Sequence, residues 1–336
     1  MLDSDNEYAY RLKKNVNIVQ LTFNSSFAKS LVSMYAFPAK VLKKLSVNSF
    51  IAYYDFISNC VTNVFEKTYD IAIDFYGYGS FVTAFLATKI QAKKKATWLH
   101  DEKPYWMKSV QKYLCEYDKI YGVSQAVVDA FCREYPHYKD KAAVFYNVID
   151  IEEIKRKSEQ DEIIPFKESF NIVTVGRLTE QKGYDIAIKA ASILKKRKIN
   201  FAWYAIGGGR DEKKLKKLVE KYCLENQFVF LGRKKNPYPY MKHCDLYVQP
   251  SRHEGYVITL VEARALCLPI LSSDIPSARE QIQDGINGYI AELSAEDLAD
   301  KIEYLYNNPS QRKKTVKYLK EHPIDFSTKL LKLEII

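Results

Sequence analysis

The feature that most constrains this chain is a rhythm in its second half, where short apolar runs alternate with longer stretches of helical character. "FNIVTVG", "NFAWYAIGGG", "FVFLGR", "DLYVQPS" and "LPILSSD" are rich in β-branched and aromatic residues. A short run that is apolar on both sides fits a strand covered on both faces, as parallel sheets require. Between the runs stand "YDIAIKAASILKKRK", "DEKKLKKLVEKYCLE", "YPYMKHC" and "ITLVEARAL", which read as the crossover helices that parallel neighbours need. The first half keeps the same beat. "VNIVQLTF" (Val16–Phe23), "YDIAIDF" (Tyr69–Phe75), "KATWLH", "DKIYGVS" and "AAVFYNVID" read as strands. "FVTAFLATKIQAKK" and "QAVVDAFCREY" read as helices, the second capped by Ser124.

A polar, charged segment, "EEIKRKSEQDEIIPFKES" (Glu152–Ser169), separates the two blocks. The pattern predicts an α/β chain of two Rossmann-like domains facing a cleft. The first domain is expected over residues 1–150, a linker over 151–169, the second domain over 170–310 and a helical tail over 311–336. In open parallel sheets, ligands bind beyond the carboxyl ends of the strands. The six cysteines show no C-x-x-C and no histidine at metal spacing, so buried reduced thiols of a cytoplasmic protein are expected. No apolar run reaches membrane-spanning length, and no secretion leader is visible. The net charge is +10, most of it after residue 165. Nucleic acid, anionic lipid or a phosphorylated small molecule would each answer to such an excess. The chain has no helix-turn-helix, zinc-finger or RNP-type pattern, so nucleic acid is not expected.

Three strand ends carry unusual residues. "VTVGRLTEQKG" (Val173–Gly183) places Arg177 and Lys182 in one strand-to-helix loop, where a planar fork and a point charge can converge on phosphate. Two solvated surface cations are the plainer alternative. "AIGGGRDE" (Ala205–Glu212) is not G-x-G-x-x-G and lacks the ribose-binding acid of a dinucleotide site, so it reads as a tight turn. No G-K-[ST] occurs, which excludes a P-loop. At the third end, "RHEG" turns into a helix expected from about Tyr256, offering the amides of Gly255, Tyr256 and Val257 to an anion. Glu254 is poor company for that anion but well placed to accept hydrogen bonds from its hydroxyls. Glu262, eight positions on, suits a second pair of hydroxyls. A diphosphate flanked by two polyols describes a nucleotide-sugar.

These residues carry a resemblance. "VGRLTEQKGYD", "IGGG" and "FLGR…NPYPYMKHCDLYVQPSRHEGYVITLVEARALCLPILSSDIPSAREQIQDGINGYI" resemble, in order and spacing, the donor domain of the family-4 retaining glycosyltransferases of GT-B fold, within the glycosyl transferases group 1. The likeness covers roughly residues 95–310. It implies that Arg177 and Lys182 bind the donor diphosphate with the amides after Glu254, that Glu254 contacts the transferred sugar, and that Glu262 contacts the ribose. In "WLHDE", His100 matches the family's strand-end histidine beside the reacting carbon. The implied reaction moves a hexosyl group, with anomeric retention, from a nucleotide-sugar (a UDP-sugar being the expected donor) to a saccharide or lipid-linked saccharide acceptor. Arg177, Lys182 and the helix amides would stabilise the leaving diphosphate. No Asp-x-Asp suited to a divalent cation is present, since "DIAID" lies inside a strand, so no metal and no other cofactor is expected.

Two departures from the family stand out. The usual E-G-F-G is here "EGYV": Tyr256 keeps a flat ring, whereas Val257 narrows the space around its backbone. At the front, the family opens with a strand, a Gly-rich loop and a helix that "MLDSDNEYAYRLKK" does not resemble. A βαβ unit of roughly 40 residues is therefore expected to be missing, leaving apolar faces and unpaired edges on the first sheet. For the acceptor side, "FAKSLVSMYAFPAKVLKKL" (Phe27–Leu45) reads either as a basic amphipathic helix resting on the inner membrane face or as an ordinary surface helix interrupted by Pro38. The resemblance points to bacterial surface-polysaccharide assembly, such as a capsule. A catalytically impaired nucleotide-sugar-binding protein and an epimerase of the same fold are the competing readings. The first would bind nucleotide without transfer, and the second would alter the donor alone.

Overall fold

The computed structural model describes residues 21–26, 28–30, 32, 47–62, 65, 67–77, 79–160 and 166–324, with only the backbone at 47–52 and 104–106. Most of the segment read as a basic amphipathic helix, Phe27–Leu45, and most of the first expected strand, Val16–Phe23, lie outside these residues. The chain divides into two units, residues 1–122 with 128–144 and 334–336, and residues 123–127 with 145–333. Among the described residues no helix is long and apolar enough to cross a membrane.

The first unit is a parallel sheet in the order β1 (Tyr69–Asp74), β2 (Ala92–Leu99), β3 (Lys119–Gly122), β4 (Ala142–Val144). Helix α1 (Val47–Cys60), which the sequence did not announce, packs beside α2 (Phe81–Lys89). Ser80 caps α2 by accepting from the Val82 amide. The loop after β1 is held by Asp74, a fully buried carboxylate that accepts from Thr83 Oγ1 (2.6 Å), Thr97 Oγ1 (3.1 Å) and the Gly77 amide (3.1 Å). Three donors offset the cost of burying that charge. β1 is the outermost described strand, and Tyr69, Ile71, Ile73 and Phe75, at alternate positions and so on one face, are exposed.

The second unit is a six-stranded parallel sheet in the order β10-β9-β8-β5-β6-β7. Its strands are β5 (Phe170–Val175), β6 (Phe201–Ile206), β7 (Phe228–Gly232), β8 (Leu246–Gln249), β9 (Ile270–Ser273) and β10 (Tyr289–Ala291). Successive strand residues enter opposite cores. Ile172, Trp203 and Leu246 face one cluster, while Val173, Tyr204 and Tyr247 face the other. Both faces are therefore covered, which is why these strands read as unbroken apolar runs. β10 was not expected: its three residues follow a turn and are too few to show a period. Helix α3 (Gln125–Glu134) begins at Ser124, whose Oγ accepts from the Val127 amide at 3.2 Å as its capping role requires. The segment read as a linker starts with a helix instead, α4 (Ile151–Ser158), with Asp150 accepting from the Glu153 amide at 2.8 Å. Charge hid it, although Glu152 and Glu153 in the first turn and Lys155 to Lys157 in the last are the order a helix dipole favours.

The strand order reverses between β5 and β8. β5 leads on to β6 and β7 on one side, and the chain then returns to lay β8 on the other. Between two such strands the following loops part and leave a crevice at their carboxyl ends. Here those loops are residues 176–183 and 250–257.

Candidate functional site

The two loops are stitched together by long-range bonds. Arg252 donates from Nη1 and Nη2 to the two Asp185 carboxylate oxygens at 2.7 Å each and from Nη1 to the Glu180 carbonyl at 2.7 Å. The Arg252 amide donates to the Gln181 carbonyl at 2.8 Å, and Gln181 Nε2 donates to the His253 carbonyl at 3.1 Å. Burial would raise the Asp185 carboxyl, but the hydrogen bonds and charge of Arg252 outweigh it and hold Asp185 below the usual range. From behind, Ser124 Oγ donates to the Gly255 carbonyl at 2.6 Å. Close approach of the two backbones depends on Gly183, at φ 65°, where a Cβ would stand 1.8 Å from the Pro250 carbonyl oxygen. Gly207, the first of the three glycines after β6, likewise faces the Gly176 carbonyl oxygen, which a Cβ would approach to 1.8 Å. The glycine run serves backbone packing, with the Leu178 amide donating to the Gly208 carbonyl at 3.2 Å.

Within this frame Lys182 Nζ and Glu254 Oε1 are 2.6 Å apart, with side chains only 15% and 9% exposed. Glu254 also accepts from Ser251 Oγ at 2.7 Å. Arg177, in the same loop as Lys182, is exposed; its carbonyl accepts from the Thr179 amide at 2.8 Å, and its side chain bonds to no described residue. Helix α8 (Ile258–Ala265) begins two residues later than the sequence suggested, so Gly255, Tyr256 and Val257 precede it rather than form its first turn. Their amides donate to no described residue. Three donors that serve no described residue thus sit at a positively polarised helix start, a geometry able to hold an anion. The Tyr256 ring lies 5.5 Å from that of Tyr146, and burial pushes its phenol up to about 12. Val257 is buried and points into the core.

Glu262 stands half-buried on α8 and accepts from Tyr238 OH at 3.0 Å. Burial raises its carboxyl above the usual range, while the Tyr238 hydrogen bond and the nearby charge of Lys182 pull the other way. Tyr238 belongs to a short helix, α7 (Tyr238–Lys242). The second unit thus brings Lys182 onto Glu254 and near Glu262, with Arg177 in the loop that carries Lys182 and the three amides following Glu254. His100 belongs to the first unit, just past β2, with Nε2 2.7 Å from the Phe75 carbonyl oxygen and its ring edge-on to the Phe75 ring. That carbonyl requires the hydrogen on Nε2. Among the described residues no three His, Cys, Asp or Glu side chains converge as a metal site would require.

Sequence reading missed Arg252, Asp185, Gln249, Ser251 and Tyr238. Opposite charges beside two strand ends, Arg252 in the loop "SRHEG" and Asp185 in the helix turn that follows "KG", were the available signal. The period-two set Tyr247, Gln249 and Ser251 along β8 and its extension was another.

The comparisons with known proteins bear on this geometry. The family model described as "Glycosyl transferases group 1" matches residues 155–322, half of the chain, and that span contains both loops. An uncharacterized glycosyltransferase of Methanocaldococcus jannaschii is 33% identical over 172 residues, 50% of this chain and 40% of that protein. The N-acetylgalactosamine-N,N'-diacetylbacillosaminyl-diphospho-undecaprenol 4-alpha-N-acetylgalactosaminyltransferase of Campylobacter jejuni is 32% identical over 158 residues, 47% of this chain and 42% of that protein. The chain therefore spans less than half the length of these two curated relatives. The crystal structure of HepE from Anabaena in complex with UDP and glucose superposes with a TM-score of 0.64 at 18% identity, covering 83% of this chain and 77% of that one. S. aureus TarM in complex with Fondaparinux, alpha-GlcNAc-glycerol and UDP gives 0.65 at 21% identity, covering 77% and 53%. At such identities the likeness is one of fold: α/β with parallel sheets, as in the GT-B glycosyltransferases.

Proposed function

The chain belongs to the glycosyl transferases group 1 family, and from that premise we propose that it transfers a hexosyl group from a nucleotide-sugar, with UDP as the leaving nucleotide, to a saccharide or lipid-linked saccharide. The observation that carries this reading is the Lys182–Glu254 pair, 2.6 Å apart, beside three unbonded amides at the switch between β5 and β8. A cation and helix-start amides suit a diphosphate, and a carboxylate next to them suits the hydroxyls of what the diphosphate carries. Structures of the same fold hold UDP with a sugar, and the Campylobacter relative is named for a diphospho-undecaprenol-linked acceptor. Relatives named for amylovoran and colanic acid biosynthesis support a role in surface-polysaccharide assembly.

In this reading Lys182 leaves Glu254 for the diphosphate, Arg177 swings in from solvent, and the amides of Gly255, Tyr256 and Val257 take the remaining oxygens. The negative charge that builds on the departing diphosphate then meets donors already in place, which lowers the barrier without reorganisation. Glu254 accepts a hydroxyl of the sugar and Glu262 the ribose hydroxyls. The anomeric configuration is retained without a metal, and the protein works in the cytoplasm or against the inner face of the membrane.

A thermal-shift panel of UDP-, GDP- and ADP-sugars, followed by product analysis with saccharide and lipid-linked acceptors, tests the reading. A selective shift with a UDP-sugar and transfer with retained configuration are expected. Binding without transfer to any acceptor would favour a binding protein, conversion of donor alone an epimerase, and no shift with any nucleotide would sink the site assignment.

A further inference from the structure

We propose that Tyr247, Thr259, Gln249 and Ser251 form a one-way hydrogen-bond relay that dictates which oxygen of Glu254 meets the donor sugar; the proposal rests on the reading of Glu254 as the sugar contact. The direction of the relay follows from its ends. Tyr247 OH donates to Gln249 Oε1 at 2.7 Å, and Thr259 Oγ1 donates to the same oxygen at 2.9 Å. Burial holds the Tyr247 phenol well above its ordinary value, which favours the protonated, donating form. Two donors on one amide oxygen fix the flip of Gln249, which turns its NH2 group to Ser251 Oγ at 2.7 Å. A serine hydroxyl has one hydrogen. Because its oxygen accepts from Gln249, that hydrogen goes to Glu254 Oε1 at 2.7 Å.

Tyr247, Gln249 and Ser251 are fully buried and Glu254 is 7% exposed, so no solvent is at hand to substitute for a lost link. Oε1 carries two donors, Ser251 and Lys182. Oε2 accepts from no described residue. When Lys182 moves to a diphosphate, Ser251 alone keeps the carboxylate in place, and Oε2 is the atom presented to the ligand. That atom can only accept. The sugar must therefore offer a hydroxyl or amide hydrogen at this point, and the relay supports sugar recognition rather than nucleotide binding. Gln249 and Ser251 are thus positioning residues that act through Glu254.

Two variants separate this role from mere packing. Gln249→Glu keeps the volume and the acceptor for Tyr247 and Thr259 but replaces the donor facing Ser251 with an acceptor, which draws the serine hydrogen away from Glu254. Ser251→Ala deletes only the last link. The affinity of each variant for UDP and for the UDP-sugar selected by the donor panel is measured by calorimetry, with a series of deoxy-sugar donors alongside. Affinity for UDP is expected within about twofold of the parent chain. Affinity for the UDP-sugar falls about 10- to 100-fold, the effect of one hydrogen bond to a charged group. One deoxy donor abolishes the difference between parent and variants. Equal losses for UDP and UDP-sugar, or no change in either, overturn the relay while leaving the site assignment intact. A parent chain that binds no nucleotide-sugar overturns both, and the parent arm alone shows which case holds.

Discussion

The pairing of Lys182 with Glu254 makes a quantitative prediction. Substituting Lys182→Met keeps the apolar stem and removes the charge, leaving Glu254 almost buried with Ser251 as its one side-chain donor among the described residues. Coulomb attraction at 2.6 Å comes to about 6 kcal/mol at an effective dielectric of about 20. Desolvation of both groups offsets most of it, leaving about 2 kcal/mol, within the range of a hydrogen bond between charged partners. For a unit of roughly 190 residues (123–127 with 145–333), each kcal/mol moves Tm by about 2–4 °C, so the coupling is worth about 4–8 °C. Thermal unfolding of Lys182→Met, Glu254→Gln and the double variant is the assay. The double variant is expected to be more stable than the sum of the single losses by about 2 kcal/mol. Glu254→Gln also frees Lys182 for phosphate, so bare UDP should bind it more tightly than the parent chain while a UDP-sugar gains nothing. Additivity to within about 0.5 kcal/mol, together with unchanged UDP affinity, would refute the idea that the two charges hold each other when no nucleotide is bound.

Two further outcomes follow from the same loops. Glu262 has its carboxyl raised by burial, so the folded chain holds that proton more tightly than the unfolded chain; the stability this gives is present at acid pH and lost as pH rises through the usual carboxylate value near 4.5 towards the raised one. Glu262→Gln should flatten that part of the stability–pH curve and weaken nucleotide binding, and a curve unchanged by the substitution would contradict it. Gly183→Ala forces a Cβ to 1.8 Å from the Pro250 carbonyl oxygen at a positive φ, and urea unfolding should register a loss of about 3 kcal/mol or more, with nucleotide binding lost alongside.

The strands were legible because strands covered on both faces write themselves as solid apolar runs, as "FNIVTV" and "FAWYAI" show. Where that signal weakens, the reading weakened too. β10 is three residues long, and α4 hides its two buried positions, Ile154 and Ser158, among charges. Arg177, Lys182 and Glu254 could be singled out because odd polar residues at strand ends betray themselves locally, and Glu262 by its spacing from Glu254. Their mutual arrangement could not. The Lys182–Glu254 bond joins positions 72 apart, and it exists only because β8 pairs with β5 rather than with β7, a choice made by the whole sheet. Arg252 was overlooked for the same reason, since its partner Asp185 lies 67 residues earlier. The late start of α8 reflects Val257, whose buried side chain holds the cap position in place of the usual polar capping group.

The outer margin of β1 governs how the protein behaves at the bench. Its row of Tyr69, Ile71, Ile73 and Phe75 forms an oily ribbon roughly 20 Å long on a strand that, among the described residues, pairs with β2 alone. Two molecules meeting there would zip margin to margin, so concentrated stocks should sediment faster than dilute ones, and a lysine in place of Ile71 or Ile73 should restore concentration-independent sedimentation while sparing nucleotide binding.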